Sequence, residues 1–358
     1  MIVNITSDNY LTISIPASSS IKIDEQFSQL EFEVFLERNL YNIVSLEIVN
    51  CNWLTSIPLL PNLNTLNCSY CDALTDISVL SSLTDLNCSY CDGLLNIPVL
   101  PNLTTLNCTW CKRLTSIPAQ PNLTTLVCNY CKGLTDIQVQ PNLTTPNCSY
   151  CDGLLNISVL PNLTTLNCYM CKGLTSIPVQ PNLTTLNCGE CEALADIHVQ
   201  PNLTTLDCSC CKRLTSIYVQ PNLTTLDCSY CDRLICIHVQ PNLTTLNCAG
   251  CSGLTGIPVQ SNLTKLSYHK CPNITIATIP IKFIHNLDTD TLIRCLRYNP
   301  YNICDILGKP DLLIQANTLN IIQEYLEYAE GETLAVLEGI LTENNIPLPT
   351  LVKPANRM

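Results

Sequence analysis

The sequence is poor in charge and in long apolar runs. Only 13% of its 358 residues are charged and its net charge is −12, so it lacks the basic surface that binds nucleic acid. It has no run of about twenty apolar residues, which a membrane-spanning helix would need. No lysine or arginine precedes Asp8, which is not typical of a signal peptide. We therefore expect a cytoplasmic protein that binds neither nucleic acid nor membrane.

The chain instead contains a unit of twenty residues that recurs in register about twelve times, from about residue 41 to about residue 280. The fixed positions of the unit at 101–120 are Leu103, Leu106, Cys108, Cys111, Leu114 and Ile117. The same positions recur in the units at 161–180 and 221–240. One such unit is too short to bury a core alone, so the copies are expected to stack on each other.

This pattern resembles the leucine-rich repeat family, with cysteine where the family usually has its last strand leucine and its asparagine. The resemblance covers roughly two thirds of the chain. Members of the family mostly bind other proteins through the strand face, which implies a non-enzymatic interaction scaffold with a protein partner. The short, cysteine-containing copies are also similar to arrays of giant DNA viruses and, in their period, of bacterial effector proteins. A viral protein of this kind would be expected in the host cytoplasm.

The resemblance implies a solenoid with one short parallel strand in each copy. We expect the strand at 105–109, with Leu106 and Cys108 pointing inward because strand side chains alternate. Thr105, Asn107 and Thr109 would then face solvent. Twenty residues leave no room for a helix on the return, and Pro118 and Pro121 favour an extended, polyproline-like convex side.

Residues 1–40 depart from the repeat and are expected to form a β-rich N-terminal cap. The segments 2–5 and 11–15 alternate like strands, whereas 24–38 fits either a short helix or a strand. Three phenylalanines follow the first strands and would cover the apolar end of the solenoid. They are Phe27, Phe32 and Phe35.

The array is predicted to span 41–280, and Pro146 is expected to break its strand pairing locally, because proline cannot donate to a ladder. The segment 281–346 has apolar residues at helical spacing and is expected to form an α-helical C-terminal cap. The segment 347–358 contains three prolines and is expected to be a flexible tail.

The 26 cysteines occur mainly as Cys-x-x-Cys pairs in nearly every copy, such as Cys68 and Cys71. Two such pairs can build a zinc site. However, Ile48 and Tyr268 occupy the same column as Cys68, and a ligand cannot be replaced by isoleucine. We favour core packing in a reducing compartment, with metal binding and redox chemistry as minor alternatives. We therefore expect neither a cofactor nor a metal.

Three polar features have a plain explanation. The Asn-Leu-Thr sequons, such as the one at Asn102, arise from the repeat itself, so we do not expect glycosylation. His198 and His238 share a column two copies apart, too far for joint metal coordination, and are expected at the surface. Cys210 is the cysteine expected to be most exposed and reactive, with a pKa that Lys212 and the adjacent arginine could lower.

An aromatic column and a few charged positions are the candidate partner-binding residues. The aromatic rings either form a binding stripe, since tyrosine and tryptophan are favoured interface anchors, or pack on each other along the array. Both interpretations stay open, with packing favoured. The candidates are Tyr70, Tyr90, Trp110, Tyr130, Tyr150, Tyr169, Glu190, Asp207, Asp227 and Tyr230.

Two alternative functions remain. The chain could be a structural, self-assembling component of virion type, because its uncharged and monotonous surface would allow lateral packing. It could also, less favourably, be an effector-type ubiquitin ligase with Cys295 or Cys304 as nucleophile. The segment after the array is short for a catalytic domain and has one histidine, His285.

Overall fold

The computed structural model describes residues 2–5, 19–23, 25–258 and 260–274, and they form a solenoid of parallel strands. The chain begins with strands β1 (Ile2–Ile5) and β2 (Ser19–Ile23), helix α1 (Gln29–Asn39) and strand β3 (Ile43–Ile48). β1 pairs with β2 and β2 with β3, all parallel, so the first three strands extend the ladder of the repeats.

Each following coil contributes a three-residue strand to the ladder, except the coil at 141–160. The strands are β5 (Thr65–Asn67), β7 (Asp85–Asn87), β8 (Thr105–Asn107), β10 (Thr125–Val127), β12 (Thr165–Asn167), β14 (Thr185–Asn187), β16 (Thr205–Asp207), β18 (Thr225–Asp227), β20 (Thr245–Asn247) and β21 (Lys265–Ser267).

The return of many coils contains a second, two-residue strand. These strands are β4 (Ser56–Ile57), β6 (Asp76–Ile77), β9 (Ser116–Ile117), β11 (Asp136–Ile137), β13 (Ser176–Ile177), β15 (Asp196–Ile197), β17 (Ser216–Ile217) and β19 (Cys236–Ile237). They pair in parallel between neighbouring coils, as β9 does with β11. The extended return was predicted, but this pairing within it was not.

Neighbouring strands align residue for residue at a separation of twenty. Leu106 pairs with Leu126, and Thr105 pairs with Thr125. Leu106 and Cys108 are fully buried, as the alternation of a strand predicts. The observed strand ends at Asn107, two residues earlier than predicted, because the chain turns immediately after it.

Pro146 interrupts the ladder, which confirms the predicted break. The unit at 141–160 has no named strand, and the ladder divides into a seven-stranded and a six-stranded sheet. Isolated bridges from Asn147 to Val127 and to Asn167 hold the neighbouring coils in register. The array therefore continues across a defective coil.

Side-chain hydrogen bonds between coils supplement the ladder. Thr104 donates from both N and Oγ1 to the carbonyl of Thr84, at 2.8 and 3.0 Å. The sequon residue Asn102 donates from Nδ2 to the carbonyl of Ser81 at 2.8 Å. Equivalent bonds recur along the array, so these threonines and asparagines have a structural role.

A column of buried glutamines, which the sequence analysis missed, replaces leucine in many coils. Gln140 is fully buried, its Oε1 accepts from the backbone N of Gln120, and its Nε2 donates to the carbonyl of Pro118, each at 2.8 Å. Because both ends of the Gln140 amide are hydrogen-bonded, this buried side chain leaves no polar group unpaired.

Helix α1 settles the choice left open for 24–38. Ser28 is its N-cap: the Ser28 Oγ accepts from the Glu31 N at 3.2 Å, and the Ser28 N donates to the Glu31 Oε2 at 2.8 Å. This capping box favours a helix over a strand. Phe32 and Phe35 are fully buried, and Phe32 lies 5.8 Å from the ring of Trp53, so the aromatics cover the first coil as predicted.

One strand was not predicted, and several predicted elements lie outside the described residues. The strand β2 at Ser19–Ile23 was not predicted, and the predicted strand at 11–15 lies outside the described residues. The helical cap at 281–346 and the tail at 347–358 also lie outside them. The boundaries of 1–40 and 41–280 stay predictions.

Candidate interaction surfaces

The two cysteine columns lie in the core, where the thiols of one column donate to backbone carbonyls of the other column in the preceding coil. The Sγ of Cys111 donates to the carbonyl of Cys88 at 3.0 Å, and both residues are fully buried. The hydrogen bond with the Cys111 thiol, together with burial, raises the pKa of Cys88 well above its usual range. The packing interpretation is confirmed. A raised pKa disfavours the thiolate, the form in which cysteine acts as a nucleophile.

Five of the candidate aromatic residues form one continuous stack. Tyr70, Tyr90, Trp110, Tyr130 and Tyr150 have ring centroids 4.2 to 5.7 Å apart and interplanar angles of 7 to 11°. Each inner ring is therefore covered on both faces by its neighbours, and its edge is left toward solvent. The geometry favours packing and leaves only edges and hydroxyls for a partner.

The stack is built on an unusual backbone conformation. The φ angles of its five residues lie between 60 and 63°, a left-handed region that favours glycine or asparagine. In this conformation the Tyr90 N donates to the carbonyl of Thr109 in the next coil at 2.8 Å. Ring stacking, worth about 0.5–1.5 kcal/mol for each pair, offsets a backbone cost of about 1–3 kcal/mol.

The aromatic stack ends where an acidic patch begins. Tyr150 meets Tyr169 edge to face, with centroids 5.6 Å apart and an interplanar angle of 69°. The Tyr169 hydroxyl donates to Glu190 Oε1, and this bond raises the pKa of Tyr169 to about 12. Tyr169 and Glu190 thus form a hydrogen-bonded pair on the strand face.

Asp207 and Asp227 lie beside this pair on neighbouring strands β16 and β18, in register with each other. The Asp207 Oδ1 accepts from the N and Oγ of Ser209 at 3.0 and 2.7 Å. The Asp227 Oδ2 accepts from the Asn247 Nδ2 at 2.8 Å. In the part of the chain that the structure describes, neither aspartate nor Glu190 forms an ion pair.

Gly189 lies between these residues, and the sequence analysis did not identify it. A β-carbon there would lie 3.0 Å from the Ser209 Oγ, and 3.3 Å from both the Tyr169 ring and the Asp207 Oδ1. The tyrosine and the aspartate therefore flank the same glycine. The structure brings four predicted residues into one acidic patch: Tyr169, Glu190, Asp207 and Asp227.

Tyr230 stands apart from both groups. Its ring lies over Gly250, where a β-carbon would come within 2.5 Å of it, and its side chain is about half exposed at 46%. The preceding coils carry Met170, Glu190 and Cys210 in its column, so the aromatic stack does not reach it.

Two expectations about cysteine are corrected. Cys210 is half-buried, and burial and the Glu190 carboxylate raise its pKa, whereas Lys212 and its neighbour were expected to lower it. Cys236 is the exposed thiol of the described residues. It takes an outward position of β19 that Ser216 holds in the neighbouring strand β17. Aligning the copies of the repeat would have predicted that Cys236 is exposed, because it occupies a position that serine holds in other copies.

The two histidines lie at the surface, as predicted. His238 is exposed and stacks on Tyr218, with centroids 5.7 Å apart. His198 is exposed, and its Nδ1 lies 3.7 Å from the Asp196 Oδ2. Among the described residues, no group of three or more His, Cys, Asp or Glu side chains is placed to hold a metal ion.

Solved structures similar to this chain are bacterial leucine-rich repeat proteins. One, from Bacteroides ovatus, is 18% identical over 66% of this chain and 82% of its own, with a TM-score of 0.44. A leucine-rich cell surface protein from Faecalibacterium prausnitzii is 16% identical over 74% and 82%, with a TM-score of 0.34. YopM from Yersinia enterocolitica is 17% identical over 73% and 76%, with a TM-score of 0.30. No family model and no curated protein matches the sequence.

The repeat geometry itself decides the classification. The coils bury their fixed leucines, apart from the partly buried Leu266 and the position that Pro146 occupies, and they stack through parallel pairing at a separation of twenty residues. The chain folds as a leucine-rich repeat solenoid. Its solenoid departs from the family pattern in burying cysteine at two fixed positions of the coil.

The remaining candidates for enzyme chemistry in this solenoid protein are Cys295, Cys304 and His285, which lie outside the described residues. In the ranges that the structure describes, no helix has the length and apolar character needed to cross a membrane.

Proposed function

We propose that this leucine-rich repeat protein is a non-enzymatic scaffold that binds a protein partner through its strand face. The observation that carries the proposal is the acidic patch formed by Tyr169, Glu190, Asp207 and Asp227. Most other outward positions of the ladder are Thr, Asn or Ser, which offer hydrogen bonds but little selectivity. Three carboxylates without an ion pair give this face a site that can discriminate between partners.

The chemistry of the patch favours a partner that presents lysine or arginine. The aspartates are held by hydrogen bonds from Ser209 and Asn247, so they lose little freedom on binding. We propose that the exposed edges of the aromatic stack, from Tyr70 to Tyr150, extend the contact, and that Tyr230 lies at its far side. Buried, protonated thiols support a reducing, cytoplasmic location.

The test is affinity capture from the native source, followed by measurement of the dissociation constant with the purified partner. A triple variant, Glu190→Gln, Asp207→Asn and Asp227→Asn, removes the charge of the patch. We expect it to weaken binding at least tenfold, and we expect wild-type affinity to fall as salt is added.

The matched control removes three charges from the back of the solenoid: Asp76→Asn, Asp136→Asn and Asp196→Asn. It has the same net charge as the patch variant and should bind like the wild type. Capture of no discrete protein, or a partner that binds both triple variants equally well, would contradict the proposal.

A further inference from the structure

The back of the solenoid carries an apolar stripe that lies on different residues from the proposed partner site. One outward position of each coil, directly before the buried leucine or glutamine, is apolar in ten consecutive coils. We call these residues the valine stripe: Leu59, Val79, Val99, Ala119, Val139, Val159, Val179, Val199, Val219 and Val239. Apart from the small Ala119, each is between 45% and 56% exposed.

The stripe is large for a surface left in water. Nine aliphatic side chains, each about half exposed, present roughly 600–700 Å² of apolar area, at or above the largest patch of a typical monomer. The stripe is also continuous, since the coils stack in register at the spacing of parallel strands, about 4.8 Å. Such an area indicates a docking surface.

The absence of charge around the stripe indicates what can cover it. In these ten coils, the five-residue band from 58–62 to 238–242 contains no Asp, Glu, Lys or Arg. The chain as a whole has a net charge of −12, so two copies repel each other over much of their surface. This band is a face on which a second copy can approach without burying a carboxylate.

The spacing of the stripe also favours a second copy. Side chains that recur at one fixed interval interdigitate fully only with a surface of the same interval, as identical side chains do in paired sheets. A second valine stripe has that interval by construction. A two-fold axis across the stripe runs the two stripes antiparallel and makes the contact self-complementary.

We propose that two copies of this chain pack back to back through the valine stripe as a closed, two-fold dimer. Each copy then contributes close to the ~800 Å² per partner of a standard stable interface. Val139 and Val159 flank the middle of the stripe, so a centred axis places Val139 of one copy against Val159 of the second. The dimer leaves both acidic patches free for partners.

The experiment is sedimentation velocity of the full chain from about 1 to 100 µM with reductant present, a range set by the affinity of moderate complexes. We expect a concentration-dependent dimer. The double variant Val139→Lys and Val159→Lys places four ammonium groups in the centre of the interface and should raise the dimer dissociation constant at least a hundredfold. Val127→Lys is the control, because it places one such lysine on the strand face, and it should dimerise like the wild type.

A second pair, Val99→Lys and Val199→Lys, keeps the test decisive if the first variant fails to fold. A centred axis also brings these two positions together, so this pair should likewise give monomers with an unchanged circular dichroism spectrum. A wild-type monomer at 100 µM, a dimer that survives both stripe variants, or an open series of larger species would each overturn the proposal.

Discussion

The left-handed backbone position at the end of each strand shows how a local cost is compensated by a neighbour. Asn50 and Gly250 occupy it in two coils, in agreement with the usual preference. Tyr90, Trp110 and Tyr130 occupy it in three other coils, where each ring stacks on the rings before and after it. Met170, Glu190, Cys210 and Lys270 have the same conformation without an aromatic ring, so stacking compensates the cost only in part of the array. The aromatic column is thus a device that strengthens contact between coils.

Trp110 allows this balance to be measured. Trp110→Ala removes two stacking contacts but keeps the left-handed strain, so we expect a loss of about 1–3 kcal/mol in the free energy of unfolding. Trp110→Gly removes the same contacts and the strain, and should be more stable than the alanine variant by about 1 kcal/mol. Urea unfolding followed by circular dichroism measures all three proteins. If the glycine variant were less stable than the alanine variant, the left-handed backbone conformation would not be a source of strain at this position.

Cys210 provides a prediction about pH at the acidic patch. Burial and Glu190 raise its pKa, so less thiolate is present at a given pH, and labelling by a thiol reagent should be slow at pH 7 and accelerate as the pH rises. Glu190→Gln removes one negative charge and should speed labelling of Cys210 several-fold at pH 8. Peptide mapping locates the label, and Cys236 is the internal control, because its rate should not respond to Glu190→Gln. An unchanged Cys210 rate would mean that Glu190 does not act on the thiol.

At the scale of the element, the defective coil at 141–160 isolates the effect of one backbone donor. Pro146 is buried at the position where Leu126 and Leu166 sit in the neighbouring coils. Leucine there would restore an N–H and an inward side chain. The coil already lies in register through Asn147, so little rearrangement is needed.

We expect Pro146→Leu to raise the free energy of unfolding by about 1 kcal/mol, the typical value of one hydrogen bond. Amide hydrogen exchange in the coils on both sides should slow. The reciprocal variant Leu186→Pro should destabilise the chain and divide the six-stranded sheet. A neutral or destabilising Pro146→Leu would show that the coil is held open by something other than proline.

These elements could be predicted from the sequence where the same pattern recurs in many copies, and not where a segment occurs only once. The inward orientation of the leucines and cysteines could be predicted from the repeat. Ile48 stands in a column that holds cysteine in most copies, which indicates that this column requires only an apolar residue. Segment 24–38 occurs once, and its helix depends on Ser28 and Glu31 capping each other, a signal that the apolar pattern obscured. The role of Gln140 was invisible because glutamine usually indicates a surface, and only the stacked coils supply its partners.

The acidic patch illustrates a similar limit. Asp207 and Asp227 could be assigned to one face from their shared column. Their relation to Tyr169 could not, because it depends on the absence of a side chain at Gly189 and on a bond that spans two coils. Likewise, the sequence suggested an exposed Cys210, but it could not show that the Glu190 carboxylate lies beside that thiol.

At the scale of the whole molecule, the cysteine columns are a packing feature that runs along the array. Their thiols are buried, and hydrogen bonds with the next coil together with burial raise the pKa of the thiols in the column from Cys68 to Cys248. We therefore expect a strong chelator to leave the thermal unfolding midpoint of the reduced protein unchanged. Elemental analysis of the same sample is the companion measurement. Stoichiometric zinc together with a lower midpoint after chelation would refute the packing role.

The stacking contacts have one more consequence, which concerns the length of the array. The threonine of each coil donates to a carbonyl of the coil before it, and its own carbonyl accepts from the coil after it, as Thr104 does with Thr84 and Thr124. A coil can therefore be duplicated or deleted as a whole unit of twenty residues, and the neighbouring coils then form the same hydrogen bonds with the coil that takes its place. A change of one residue more or less would put every later column out of phase. Such a gene can grow or shrink in discrete steps and still encode a folded rod.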